Sequence, residues 1–126
     1  MNVKMPSDAD TTIAELRSVV SDFVDARDWH QFHRPKNLAM SIAIEAAELM
    51  EHFQWLTHEQ ADDALRDENR RTEICDEMAD VVSYVLALAN ALNIDVTESL
   101  HRKMEKNIQK YPADEFRGRY GRHDQM

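Results

Sequence analysis

The sequence predicts an all-α fold, and three observations predict it. Of the chain's three prolines and two glycines, Pro35 alone interrupts the stretch between about residues 11 and 110; Pro6, Pro112, Gly118 and Gly121 lie outside it. Within that stretch apolar residues recur at steps of three and four, the period of an amphipathic helix. Residues that cap helices stand where each periodic segment begins.

The first helix is expected from about Thr11 to Trp29, with Ile13, Leu16, Val20, Phe23 and Val24 on one side and Asp10 or Thr11 as N-cap. Residues 30–36 form a connecting loop, because Pro35 disfavours helix at the residue before it. Asn37 then caps a second helix that runs to about Phe53. Thr57-His58-Glu59-Gln60 fits a capping box and opens a short helix in the polar stretch to Asn69. The third long helix spans about Arg71 to Leu92. From Val81 onward it is apolar nearly all round, which suits the centre of a bundle or an interface between copies. Asp95, with Glu98 three residues on, starts a fourth helix that ends near Lys110, where Pro112 stops it. The chain thus divides into a flexible N-terminus (1–10), one helical domain (11–113) and a polar tail (114–126), without internal repeats.

Composition excludes several functions. A formal charge of −9 disfavours non-specific binding to nucleic acid or to an anionic membrane, since both need a basic face. No run approaches the ~18 apolar residues of a membrane span, and the N-terminus lacks the apolar core of a signal peptide, so a soluble cytoplasmic protein is expected. Cys75 is the only cysteine and reads as a packing residue. Gly118 and Gly121 both fall in the tail, so no glycine-rich phosphate loop or dinucleotide fingerprint is possible. A phosphorylated substrate would have to be met by metals and by Lys or Arg.

The chemistry lies in the acids. On the second helix Leu38, Ile42, Glu45, Leu49 and His52 share one stripe, with Glu48 one turn beyond Glu45. A carboxylate placed there costs several kcal/mol unless protonated, paired or bound to a metal, on the order of the burial penalty of an unpaired charge. On the third helix Glu77 and Asp80 flank the apolar stripe Ile74, Met78, Val81 and Val85. Two acids three apart on each of two long helices is a spacing by which a bundle holds hard divalent cations. Taken singly, each acid is better explained as a solvated residue or as a partner of Arg70 or Arg71; four at matched spacing are not. Glu51, Glu73 and Asp76 are second-rank candidates. The Glu-x-x-His that a di-iron bundle needs on each of two helices is lacking, and oxygen-only ligation favours Mg²⁺ or Mn²⁺ over iron or zinc. Of the six histidines, His33 in an aromatic loop could contact a ligand, whereas His30, His58, His101 and His123 read as surface residues.

Glu45-Ala46-Ala47-Glu48 followed by Glu77-Met78-Ala79-Asp80 resembles the metal motif of the all-α nucleoside triphosphate pyrophosphatases, the MazG-like superfamily. Within it the chain is most similar to the dCTP pyrophosphatases, through Arg27-Asp28-Trp29, Gln31-Phe32-His33, Pro35-Lys36-Asn37-Leu38, Phe53-Gln54-Trp55 and Lys103-Met104 with Asn107 and Tyr111-Pro112. The resemblance implies a four-helix MazG-like bundle completed by oligomerisation, with Mg²⁺ held by Glu45, Glu48, Glu77 and Asp80. It implies that Trp29, His33 and Trp55 surround the nucleoside, and that Lys103, Asn107 and Tyr111 reach toward the triphosphate. Without it, Trp29 and Trp55 read as core or interface residues.

The expected activity is Mg²⁺-dependent hydrolysis of a nucleoside triphosphate, dCTP or a modified dCTP, to the monophosphate and pyrophosphate, with Mn²⁺ able to replace Mg²⁺. Lys103 would neutralise the leaving pyrophosphate. A broad NTP or dUTP pyrophosphatase is the near alternative, and a non-catalytic helical dimerisation module the distant one. The apolar girth of the third helix, together with the resemblance, implies a homo-oligomer, a tetramer built from dimers.

Overall fold

A computed structural model describes residues 4–119. Among them every regular element is a helix, and the chain forms two compact units, one ending at Asn93 and the other beginning at Ile94.

Helix α1 (Ile13–Ala26) starts from a capping box: the Thr12 hydroxyl accepts from the Glu15 N–H at 3.1 Å, and the Glu15 carboxylate accepts from the Thr12 N–H at 3.4 Å. The N-cap is therefore Thr12 rather than Asp10 or Thr11. The helix also ends before Trp29, because Asp28 turns into the left-handed region at φ 53°. Its N–H donates to the Asp25 carbonyl and that of Trp29 to the Val24 carbonyl, each at 3.1 Å. These are the two bonds of a Schellman turn, and aspartate accepts the left-handed conformation more readily than most residues.

Helix α2 (Pro35–Glu51) corrects the expected boundary, since Pro35 opens the helix instead of preceding it. At the first helical position a missing N–H costs nothing. Asn37 is not the cap; its side-chain amide donates to the Phe32 carbonyl at 3.1 Å and ties down the preceding loop. Helix α3 (His58–Ala64) has the expected Thr57–Gln60 capping box. Helix α4 (Glu68–Leu92) begins three residues earlier than expected, because the Asp67 carboxylate caps it by accepting from the Asn69 N–H at 3.0 Å. It ends on Asn93 in the left-handed conformation at φ 53°.

Both α1 and α2 pack against α4. The core comprises Val24, Leu38, Ile74, Leu86, Ala87 and Ala89, with Leu38 only 1% exposed. Full burial of one such leucine contributes about 1.5–3 kcal/mol. The inward stripe of α4 is rotated from the expected one: Ile74, Glu77, Val81, Tyr84 and Leu88 are buried or half-buried, whereas Met78 and Val85 are 55% and 39% exposed. A helix apolar nearly all round offers no periodic signal to orient it. Asn90 fixes α1 to α4 by accepting from Arg17 Nε at 2.9 Å and donating to the Arg17 carbonyl at 3.2 Å.

In the second unit, α5 (Val96–Lys110) is capped by Asp95, whose carboxylate accepts from the Glu98 N–H at 2.8 Å. Beyond Pro112 the tail begins as a short helix, α6 (Ala113–Phe116), with Phe116 edge-on to Tyr111 at 5.2 Å. The rest of the expected tail, with Gly121 and His123, lies outside the described residues. No single described helix is long and apolar enough to cross a membrane.

Replacing Asn90 by Ala removes both partly buried bonds to Arg17 and should cost about 1–2 kcal/mol. Urea unfolding is expected to show a lower midpoint at unchanged slope. An unmoved midpoint would assign α1 docking to apolar contacts alone.

Candidate metal centre and adjoining cavity

The pairing of α2 with α4 brings acids together. One carboxylate oxygen each from Glu45, Glu48 and Glu77 lies within 4.8 Å of the others. Glu45 and Glu77 are half-buried and Glu48 is exposed, so the cluster has a closed side and an open side. On the closed side Glu45 Oε2 and Glu77 Oε2 are buried without a hydrogen-bond partner. Buried carboxylate oxygens are normally satisfied, and a hard cation of the Mg²⁺ type would satisfy both. The donor set, all carboxylate oxygen, fits such an ion.

The electrostatics agree with that fit. Burial pushes the Glu45 carboxyl up to about 7, helped by a hydrogen bond to Glu48 and by the charges of Glu48, Asp80 and Glu77. Glu77 is raised for the same reasons, burial first, although the His52 imidazole opposes the rise. Asp80 stands outside the triplet and adds its charge to both.

Asp80 also lines a cavity of about 410 Å³, a volume in the range of small-molecule sites. Its walls are Val19, Val20, Phe23 and Val24 of α1, Trp29 and His33 of the connecting turn, and Asp80, Ser83, Tyr84 and Ala87 of α4. Trp29 stacks on His33 at 6.3 Å between ring centres, and the His33 and Tyr84 ring centres are also 6.3 Å apart. Burial, and secondly the nearby His30, holds His33 below the usual imidazole value. Its Nδ1 is buried without a hydrogen-bond partner.

Of the residues singled out from the sequence, Glu45, Glu48 and Glu77 converge in one cluster, and Asp80, Trp29 and His33 border the adjoining cavity. Trp55 is not among the cavity walls; it sits 86% exposed on the turn after α2. In the second unit Lys103 is exposed on α5, and Asn107 donates to Met104 Sδ at 3.7 Å. Tyr111, the C-cap, packs against Phe116 and has Lys110 Nζ 5.4 Å over its ring. Glu51, Glu73 and Asp76 are exposed and do not join the cluster. Sequence reasoning missed Tyr84 and Ser83. Their signal was spacing: Tyr84 stands four residues after Asp80, one turn along the same face.

Fold and site together define a helical protein with an acidic, hard-cation type of cluster on paired helices beside an aromatic-walled cavity. The chain belongs to the MazG-like family, whose sequence model matches residues 40–122, well over half of its length. It is 34% identical over 107 residues to dCTP pyrophosphatase 1 of Mus musculus, a match covering 85% of this chain and 63% of the mouse protein. The human dCTP pyrophosphatase 1 is 34% identical over 102 residues, covering 81% of this chain and 60% of the human one. The chain therefore spans less than two thirds of these relatives' length. Among solved structures, a pyrophosphatase from Archaeoglobus fulgidus superposes with a TM-score of 0.74 at 40% identity, covering 88% of this chain and 99% of that one.

The raised carboxyls set a pH dependence. Between about pH 4.5 and pH 7 the folded protein keeps a proton on Glu45 that the unfolded chain has released. Stability of the cation-free protein therefore falls as pH rises through that window. A divalent cation relieves the charge left behind, so Mg²⁺ should raise the melting temperature more at pH 8 than at pH 5. Calorimetry with and without Mg²⁺ checks this; equal shifts at both values would dissociate the cluster from cation binding.

Proposed function

We propose that the chain is a nucleotide pyrophosphohydrolase that cleaves a deoxynucleoside triphosphate, dCTP or a modified dCTP, to the monophosphate and pyrophosphate, in the role of clearing surplus or altered precursors. The observation that carries this reading is the continuity of the two halves of the site: the carboxylate triplet adjoins, through Asp80, a cavity of base size with aromatic walls. The dCTP pyrophosphatases among the relatives and the A. fulgidus pyrophosphatase support the activity class.

Glu45, Glu48, Glu77 and Asp80 would hold Mg²⁺. When bound, the cation supplies positive charge to the phosphates and acidifies the attacking water, which lets an acidic protein accept a polyanion. The protein's own residues do the rest. Phe23, Trp29 and Tyr84 enclose the base in an apolar slot that excludes water. His33, beside Trp29 in the same wall, would contact the edge of the base. The Asp80 carboxylate, at the junction, would act on the phosphates only through a bound cation, since it repels them directly. Lys103, Asn107 and Tyr111 would supply contacts to a triphosphate, and the four-residue step of Lys103 and Asn107 puts those two on one side of α5.

The test is incubation of the full chain with a panel of (d)NTPs and Mg²⁺, assayed for pyrophosphate against phosphate. Glu48→Ala or Asp80→Ala should lower turnover by at least about a hundredfold while leaving helix content unchanged, and Mn²⁺ should partly replace Mg²⁺. Undiminished turnover in excess chelator would defeat the reading.

We further propose that the protein works as a homo-oligomer, a tetramer built from dimers. The support is apolar surface: Met40 and Ile44 on α2 and Met78, Val82 and Val85 on α4 are all more than a third exposed. A single chain of this size rarely leaves so many large apolar side chains uncovered on two adjoining helices. The exposed Trp55 suits contact with a ligand or a second copy. Val82→Glu, at an exposed site, should lower the molar mass seen by light scattering without unfolding the helices. A mass equal to one chain for the unaltered protein at micromolar concentration would remove the proposal.

A further inference from the structure

Arg27 stands at the end of α1, outside every role assigned above. Its guanidinium lies 3.8 Å over the Phe23 ring and donates from Nη1 to the Phe23 carbonyl at 3.0 Å. That carbonyl is one of the last of α1, where helical partners run out. Arg27 thus grips one residue twice, by ring and by backbone. Phe23, a cavity wall and still 48% exposed, meets Trp29 edge-on at 5.6 Å with an interplanar angle of 76°. Trp29 in turn stacks on His33.

The backbone aims at the same outcome. Asp28 adopts the left-handed conformation between Arg27 and Trp29, so the chain reverses and carries the indole back over α1. A position with φ 53° is strained for any residue but glycine, with aspartate and asparagine the least penalised. Without a ring held still beneath it, Trp29, itself 40% exposed, has only half a seat.

We propose that Arg27 is a positioning residue of the cavity: by clamping Phe23 it fixes the edge against which Trp29 rests, and so sets selectivity for the base without touching the substrate. The guanidinium suits this task where lysine would not, because its planar face stacks on a ring while its edge donates to a carbonyl. The proposal rests on the reading of the cavity as a base site, and its test separates the two.

Trp29 becomes the only tryptophan in a Trp55→Phe background, so its fluorescence reports on its seat in the absence of any substrate. Adding Arg27→Ala should shift the emission to the red and make the indole more open to acrylamide, with helix content unchanged; Arg27→Lys should fall between the two. In the otherwise unaltered protein, Arg27→Ala should raise KM for the preferred nucleotide about threefold to tenfold while changing kcat less than about twofold, and should narrow the difference between bases. Unchanged Trp29 emission and quenching would overturn the proposal. So would an equal loss for every nucleotide, which would make Arg27 a general attractor of anions. Failure of every nucleotide to yield pyrophosphate would overturn the proposed activity instead, and the fluorescence result would still decide the role of Arg27.

Discussion

The structure turns on a repulsion that it does not relieve by itself. Packing α2 on α4 holds Glu45, Glu48 and Glu77 within 4.8 Å of one another. The same packing buries Leu38 and Ile74, which anchor the stripes that carry those acids. The helices cannot move apart to ease the acids without exposing the leucine and isoleucine, so apolar burial enforces the crowding. The cost shows in Glu45, whose carboxyl is raised to about 7 chiefly by burial. An arrangement that disfavours its own charges is relieved by a proton or a cation, which distinguishes this cluster from a solvated acidic face.

Around this cluster the fold divides labour by element. The paired helices supply acids with defined separation, because a helical side chain is placed by backbone geometry and by packing. The cavity next to them is assembled differently: α1 and α4 give the floor, but Trp29 and His33 come from the turn between α1 and α2. That turn is bound by the Schellman bonds at Asp28 and Trp29 and by Asn37 at its far end. A loop built this tightly behaves as part of the scaffold. Asp80 belongs to both halves, its charge acting on Glu45 and Glu77 while it lines the cavity.

Much of this was legible in the sequence, for physical reasons that differ by residue. Thr57 with Gln60 and Asp95 with Glu98 announced helix starts, since a side chain that satisfies an orphan N–H leaves a local signature. Pro35 misled because the same residue can precede a helix or open one. Glu45 stood out because charge on an apolar stripe is costly and therefore informative. Tyr84 did not, because an aromatic among apolar residues reads as core whether or not a cavity opens beside it. The inner face of α4 was misjudged for a related reason: with Met78, Val81, Val82 and Val85 nearly alike, only the partner helices decide which turn inward. Trp55 marks the limit of single-chain reasoning, since its indole is 86% exposed and packing within the chain assigns it no role.

The net charge of −9 sharpens the argument about substrate. A surface so acidic repels nucleotides at long range, and the cluster, taken alone, repels them at short range too. Proton and cation compete for the same oxygens. With the Glu45 carboxyl pushed up to about 7, a divalent ion has only a weakly held proton to displace near neutral pH, and each ion bound offsets two of the carboxylate charges. Crowding three acids is therefore an economical way to make affinity for a polyanion conditional on metal. A basic pocket would bind phosphates of every kind, whereas on the function proposed above an acidic cluster would admit them only in company with a cation, and the aromatic wall of Trp29, His33 and Tyr84 would add a preference for a base.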